Sequence, residues 1–156
     1  MQEIIVVPLD GSKVGESALP YVEDLVSKLS PEVKAEVMLL QVLFPMSPSM
    51  AAGGQVPDIA YTEKQTEENK KNALDYLNQT GEALRTKGVA VTANVAIGDA
   101  SEEIVKAAEE NNANLIAMST HGRTGFSRWA FGSITDKVLR REGRIPIAMI
   151  RAPKKS

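Results

Sequence analysis

The sequence predicts a single-domain α/β fold: an open five-stranded parallel sheet with helices on both faces, Rossmann-like in architecture. Two observations predict the parallel sheet. Short continuous apolar runs alternate along the chain with longer stretches whose apolar residues fall at helical spacing. The chain has 156 residues, the length of one domain by the rule of roughly 100–200 residues each. A chain of that size buries about 68–70% of its unfolded surface and needs no covalent staples.

The elements follow in order. Ile4-Ile5-Val6-Val7-Pro8-Leu9 is apolar at every position, as in a strand covered on both faces. Asp10-Gly11-Ser12 ends it as a turn. Ala18, Val22, Leu25 and Leu29 then fall on one helical face, with Pro31 just beyond it. Val37 to Leu43 is the second strand. The Pro/Ser/Gly/Met-rich stretch from Pro45 to Pro57 has no period and reads as a loop. A long polar helix over about 60–87 carries Leu74, Leu77, Gly81 and Leu84 on one stripe.

The third strand runs from Val89 to Ile97. Asp99 stands three residues before Glu102, at the spacing of a capping box, and Ile104, Ala107 and Ala108 mark the helix that follows. Leu115 to Met118 is the fourth strand. Ile134, Val138 and Leu139 give the fourth helix its apolar face, closed by Gly143. The fifth strand spans Ile145 to Ile150, and Pro146, which has no N–H, puts it at an edge or starts it there. Residues 1–152 form the domain and 153–156 a frayed tail.

Composition excludes several chemistries. There is no cysteine, so disulfides, thiolate catalysis, iron–sulfur clusters and thiolate-bound zinc are out. A single histidine cannot build an HExxH zinc site. No apolar run approaches the ~18 residues of a membrane span, and the N-terminus lacks a signal-peptide pattern, so the expected location is cytoplasmic. The net charge of −2 argues against a nucleic-acid partner. Its distribution is uneven. Residues 119–156 hold nine Lys/Arg against two acids, while residues 1–118 hold nine against eighteen. Two readings stand for the cationic quarter, an anion site and a solvated basic tail.

In open parallel sheets ligands bind beyond the carboxyl ends of the strands. That directs attention to Asp10, Val42, Gly98 and the segment from Ser119 onward. This segment leads from a strand into a helix and contains Gly122, Gly132 and Ser133, with Arg123 nearby. Glycine allows close backbone approach to an anion, and a helix start offers free N–H groups. Neither the Walker A nor the dinucleotide fingerprint is present. The residues alone leave phosphate binding and a structural glycine turn side by side.

Four features occur together: Asp10 after the first strand, V-M-L-L-Q-V, G-D-A-S-E-E-I after the third strand, and S-T-H-G-x9-G-S. Together they resemble the universal stress protein family over essentially the whole chain. The resemblance implies strand order 3-2-1-4-5, ATP as ligand with Mg2+ or Mn2+ through its phosphates, and homodimers joined through the fifth strand, about 145–151. The ATP-binding subclass carries G-2x-G-9x-G-[ST]. Here Ser119 stands for the first glycine, while Gly122, Gly132 and Ser133 keep their spacing. A positive φ at that position would cost serine roughly 1 kcal/mol, or its hydroxyl can face the ribose.

The resemblance assigns Asp10 to the adenosine part, the Val42 backbone to the adenine edge, Gly98 to the ribose side, and Gly122, Gly132 and Ser133 to the phosphates. Charge and position add Arg123 as a phosphate contact. The function expected is a nucleotide-dependent stress or signalling switch. A nucleotide-independent dimeric module and a slow ATPase are the alternatives. No general base stands out beyond Asp10 and His121.

Overall fold

In the computed structural model, which describes residues 1–44, 59–120 and 133–152, the apolar runs pair into one sheet. Its strands are β1 (Gln2–Pro8), β2 (Lys34–Leu43), β3 (Ala90–Ile97), β4 (Leu115–Ser119) and β5 (Ile147–Ile150). Their order is β3-β2-β1-β4-β5 and every pairing is parallel. The connections hold a 3-10 turn (Gly15–Ser17) leading into α1 (Ala18–Ser27), then α2 (Ile59–Thr86), α3 (Ala100–Glu110) and α4 (Ser133–Arg140). The expected fold class and strand order are both found.

The period of two in each strand sorts side chains onto opposite faces. Ile5, Val7, Leu9, Val37, Leu39 and Ala117 join Val22 of α1 and Leu77 and Leu84 of α2 in one core. Val6, Met38, Leu40, Ile116 and Met118 join Ile104 and Ala108 of α3 and Val138 of α4 in the other. This two-sided burial is why the central runs are apolar without interruption. Asp99 caps α3 as its spacing predicts, its side chain accepting from the Glu102 N–H at 3.0 Å. Pro146 lies just before β5, an edge strand, and its carbonyl accepts from Ile116 N–H at 2.9 Å. At the same end of β4, on its other edge, Asn114 clamps β1. Its side-chain carbonyl accepts from Ile4 N–H at 2.8 Å, and its own N–H donates to the Ile4 carbonyl at 2.8 Å.

Helix faces differ from expectation in detail. In α4 the buried positions are Thr135 and Val138, while Ile134 and Leu139 are exposed. Residues five apart on a helix sit about 140° from each other, so they flank the buried stripe from either side. The helix also ends at Arg140, before Gly143. Leu74 lies at the exposed edge of a stripe centred on Ala73, Leu77 and Leu84.

On that stripe Gly81 lets α2 approach the sheet. A Cβ there would lie 2.9 Å from Val91 Cγ1 and 3.1 Å from Leu39 Cδ1. Alanine would gain about 1 kcal/mol of helix propensity, opposed by overpacking of about 1–3 kcal/mol. Valine adds bulk at the same contact and gains less propensity. Gly81→Val is expected to destabilise the fold by about 2–3 kcal/mol and Gly81→Ala by less than half of that, measured as urea unfolding midpoints.

Candidate functional site at the strand ends

The chain leaves β1 towards β2 and β3 on one side and returns to β4 and β5 on the other. The crevice of such a sheet therefore lies between the carboxyl ends of β1 and β4. Alternate residues of a parallel strand direct their backbone groups to opposite neighbours. Leu9 N–H donates to the Leu40 carbonyl on β2, whereas Ile4 bonds to Asn114 on the β4 side. By this alternation Pro8 faces β4, and proline has no N–H to extend that ladder. The β1–β4 register runs through Ile5↔Leu115 and Val6↔Ile116.

Past Leu9 the chain makes a tight turn around Asp10. Gly11 takes φ +87°, a conformation that suits glycine. One carboxylate oxygen of Asp10, Oδ1, accepts from Ser12 N–H at 2.9 Å and from Ser12 Oγ at 2.5 Å. Ser12 Oγ in turn accepts from Gly15 N–H at 3.0 Å. Gly15 is buried, and a Cβ on it would stand 2.6 Å from Asp10 Oδ1.

Ser119 closes the other wall. It is a strand residue, 8% exposed and outside the positive-φ region, so serine carries no backbone strain here. Its hydroxyl donates to the Gly15 carbonyl at 2.7 Å instead of turning to a ribose. Its carbonyl accepts from Thr135 Oγ1 at 3.2 Å, which fixes the first turn of α4. The site thus joins Asp10, Ser119 and the helix that begins at Ser133. Ser133 itself is exposed. Next to Ser119, Thr120 is 3% exposed, and its hydroxyl has no hydrogen-bond partner among the described residues.

The other expected residues are more dispersed. The Val42 side chain packs on the α3–α4 core. Its backbone, two residues past Leu40, faces the side where β1 has ended. Gly98, φ +152°, follows the edge strand β3 and donates its N–H to the Leu43 carbonyl at 3.0 Å. At about 4.8 Å per strand spacing it stands roughly 10 Å from β1, and the described contacts do not bring it against Asp10 or Ser119. Gly122, Arg123 and Gly132, like His121, lie outside the described residues. Gly15 and Ser12 are the site residues that sequence reasoning missed. The Asp-Gly-Ser turn was the available signal for Ser12; Gly15 had none, because its role is one of space.

Electrostatics sharpen the picture. Burial, then the Glu16 carboxylate, push the Tyr76 phenol up to about 12, with Asp10 adding to the effect. Hydrogen bonds from Ser101 and the Glu102 N–H hold Asp99 below the usual carboxylate range, with Arg141 assisting. Two cations of the basic C-terminal quarter are engaged within the protein. Arg140 pairs with Asp136, and Arg141 donates to Ser101 Oγ at 3.1 Å. A cavity of about 270 Å³ lies between α3, α4 and the two strands beneath them, lined by residues such as Val105, Ile116 and Val138 and by Arg141. It is separate from the Asp10 turn. No helix among the described residues is long and apolar enough to cross a membrane.

The chain is a doubly wound α/β protein whose parallel sheet carries a built turn at its switch point. The model of the universal stress protein family matches residues 1–151, and the chain belongs to that family. It is 29% identical over 151 residues to universal stress protein MJ0531 of Methanocaldococcus jannaschii, covering 97% of this chain and 83% of the relative. It is 27% identical over 164 residues to MJ0577 of the same organism, covering 97% and 96%. The solved structure of MJ0577 superposes with a TM-score of 0.79 at 23% identity, covering 98% of both chains. Two further structures share the fold at lower identity. A universal stress protein in complex with cAMP gives a TM-score of 0.61 at 18%, covering 97% and 98%. An Arabidopsis thaliana family member with AMP bound gives 0.66 at 14%, covering 97% and 92%.

The Tyr76 environment gives a measurable pH dependence. Its folded pKa, about 12, is raised from the ordinary 10.0. The associated stability is present below pH 10 and is lost as pH rises through about 12. Spectrophotometric titration is expected to show a late phenol that is absent from Tyr76→Phe. Tyr76→Phe is expected to lose less stability than wild type between those limits, measured by denaturant unfolding at each pH.

Proposed function

We propose that the protein binds ATP at the β1–β4 crevice and works as a nucleotide-dependent switch in a stress response. The observation that carries this reading is the Asp10 carboxylate, fixed by Ser12 at the mouth of the crevice opposite the β4–α4 junction. In this reading Asp10 accepts a hydrogen bond from the adenosine half. The Val42 backbone meets the adenine edge, and Gly98 borders the ribose side. Gly122, Arg123, Gly132 and Ser133 hold the phosphates. The buried Thr120 hydroxyl supports a polar occupant near the same strand end.

The adenine nucleotides bound by the cAMP and AMP neighbours support the ligand class. Among the described residues no group of three His, Asp or Glu could hold a metal. In this reading Mg2+ or Mn2+ accompanies ATP through its phosphates. Calorimetric titration of stripped protein with ATP, with and without Mg2+, is expected to give stoichiometric binding in the micromolar range. Gly132→Glu is expected to abolish it while the far-ultraviolet circular dichroism is unchanged. Equal affinity in that variant would overturn the site assignment.

We further propose a homodimer through the fifth strand. β5 is an edge strand whose four residues are half-buried, and an unpaired strand edge invites pairing. Sedimentation at micromolar concentration is expected to show a dimer. An exclusively monomeric boundary would contradict this.

A further inference from the structure

We propose that Ser119 is a positioning residue for Asp10, acting across the crevice without contacting the ligand. The inference rests on the nucleotide reading only for the ligand that Asp10 meets. Four hydrogen bonds connect the two residues. Ser119 Oγ donates to the Gly15 carbonyl at 2.7 Å, and Gly15 N–H donates to Ser12 Oγ at 3.0 Å. Ser12 Oγ and N–H then donate to Asp10 Oδ1 at 2.5 and 2.9 Å. Each donor is used once and each bond has ordinary geometry.

A second observation makes the linkage mechanical as well as polar. Gly15 leaves no room for a Cβ beside Asp10 Oδ1, since one would stand 2.6 Å away. The Gly15 backbone therefore rests against the carboxylate, and a shift of Gly15 moves Asp10 by contact. Ser119 fixes Gly15 from the far wall, 104 residues away in sequence, and its hydroxyl is buried. Its hydroxyl proton goes to Gly15 and its carbonyl accepts from Thr135.

This arrangement explains serine where the ATP-binding pattern has glycine. Glycine at this place supplies no hydroxyl, so the bridge is a device of this chain. Holding a carboxylate in one orientation before the ligand arrives reduces the ordering cost of binding. The ligand part that gains is the nucleoside half, through a donor facing Asp10.

The test compares wild type, Ser119→Ala and Ser119→Gly, each with and without Asp10→Asn. ATP affinity is measured by calorimetry and tripolyphosphate affinity by competition. Either Ser119 variant is expected to weaken ATP about tenfold, the size of one hydrogen bond to a charged group, and to leave tripolyphosphate within about twofold. Asp10→Asn is expected to cost much less in a Ser119 variant than in wild type.

A merely structural serine would lower both affinities together, or leave the Asp10 cost unchanged, and either result overturns the inference. Wild-type protein that ignores ATP would overturn the nucleotide reading alone. The bridge is then decided without ligand, by nuclear magnetic resonance. Faster exchange of the Gly15 amide and a shifted Asp10 carboxyl resonance are expected in Ser119→Ala, and no change in either refutes it. Ser119→Gly, the residue of the family pattern, serves if the alanine variant is poorly folded.

Discussion

The structure depends on β1 being buried on both faces and paired on both edges. β2 uses one edge and β4 the other. Every side chain from Ile5 to Val7 is at most 4% exposed. A strand in that position has no tolerance for polar side chains, and both helical layers are built on what it presents. The opposite travel of the chain from its two edges also creates the crevice. Pro8 makes the transition sharp, because the backbone groups of β1 that face β4 lose their donor where the crevice opens.

Around this opening the hydrogen-bonding groups are largely engaged within the protein. The Asp10 turn is internally bonded, Ser119 bonds to the turn before α1 and to α4, and Gly98 N–H is tied to Leu43. These described groups are held in place by the protein's own bonds. A binding free energy gained there does not have to order these groups again. The buried Thr120 hydroxyl, beside the β4–α4 junction, is the exception, with no partner among the described residues. Buried polar atoms in folded proteins are nearly always satisfied, so its environment differs in kind from that of Ser119.

The sequence made the layering legible because apolar run length and helical spacing are local properties. Strand order came from the family resemblance, since periodicity does not say which strands are neighbours. Asp10 was readable because a carboxylate after a buried strand, followed by glycine, marks a turn at the ligand-binding edge. Gly15 was not readable. It matters through the absence of a side chain beside Asp10, which no spacing rule reveals. Motif spacing singles out Ser119, but its bond to Gly15 was not legible, because that partner lies 104 residues earlier. Ile134 and Leu139 were assigned to the core on hydrophobicity, although five-residue spacing splits them across the stripe.

The Asn114–Ile4 clamp bears on the order of assembly. Residues 1–44 can pair β1 with β2 once both have left the ribosome, because those strands are close in sequence. The other edge of β1 waits for a partner 110 residues later. Until residue 114 is available, that edge is an unpaired template flanked by apolar side chains, and an unpaired edge invites pairing with another chain. Asn114 is the residue just before β4, and its two bonds fix the β1–β4 register at that end. Closing the centre of the sheet is thus the most non-local step the topology asks of β1.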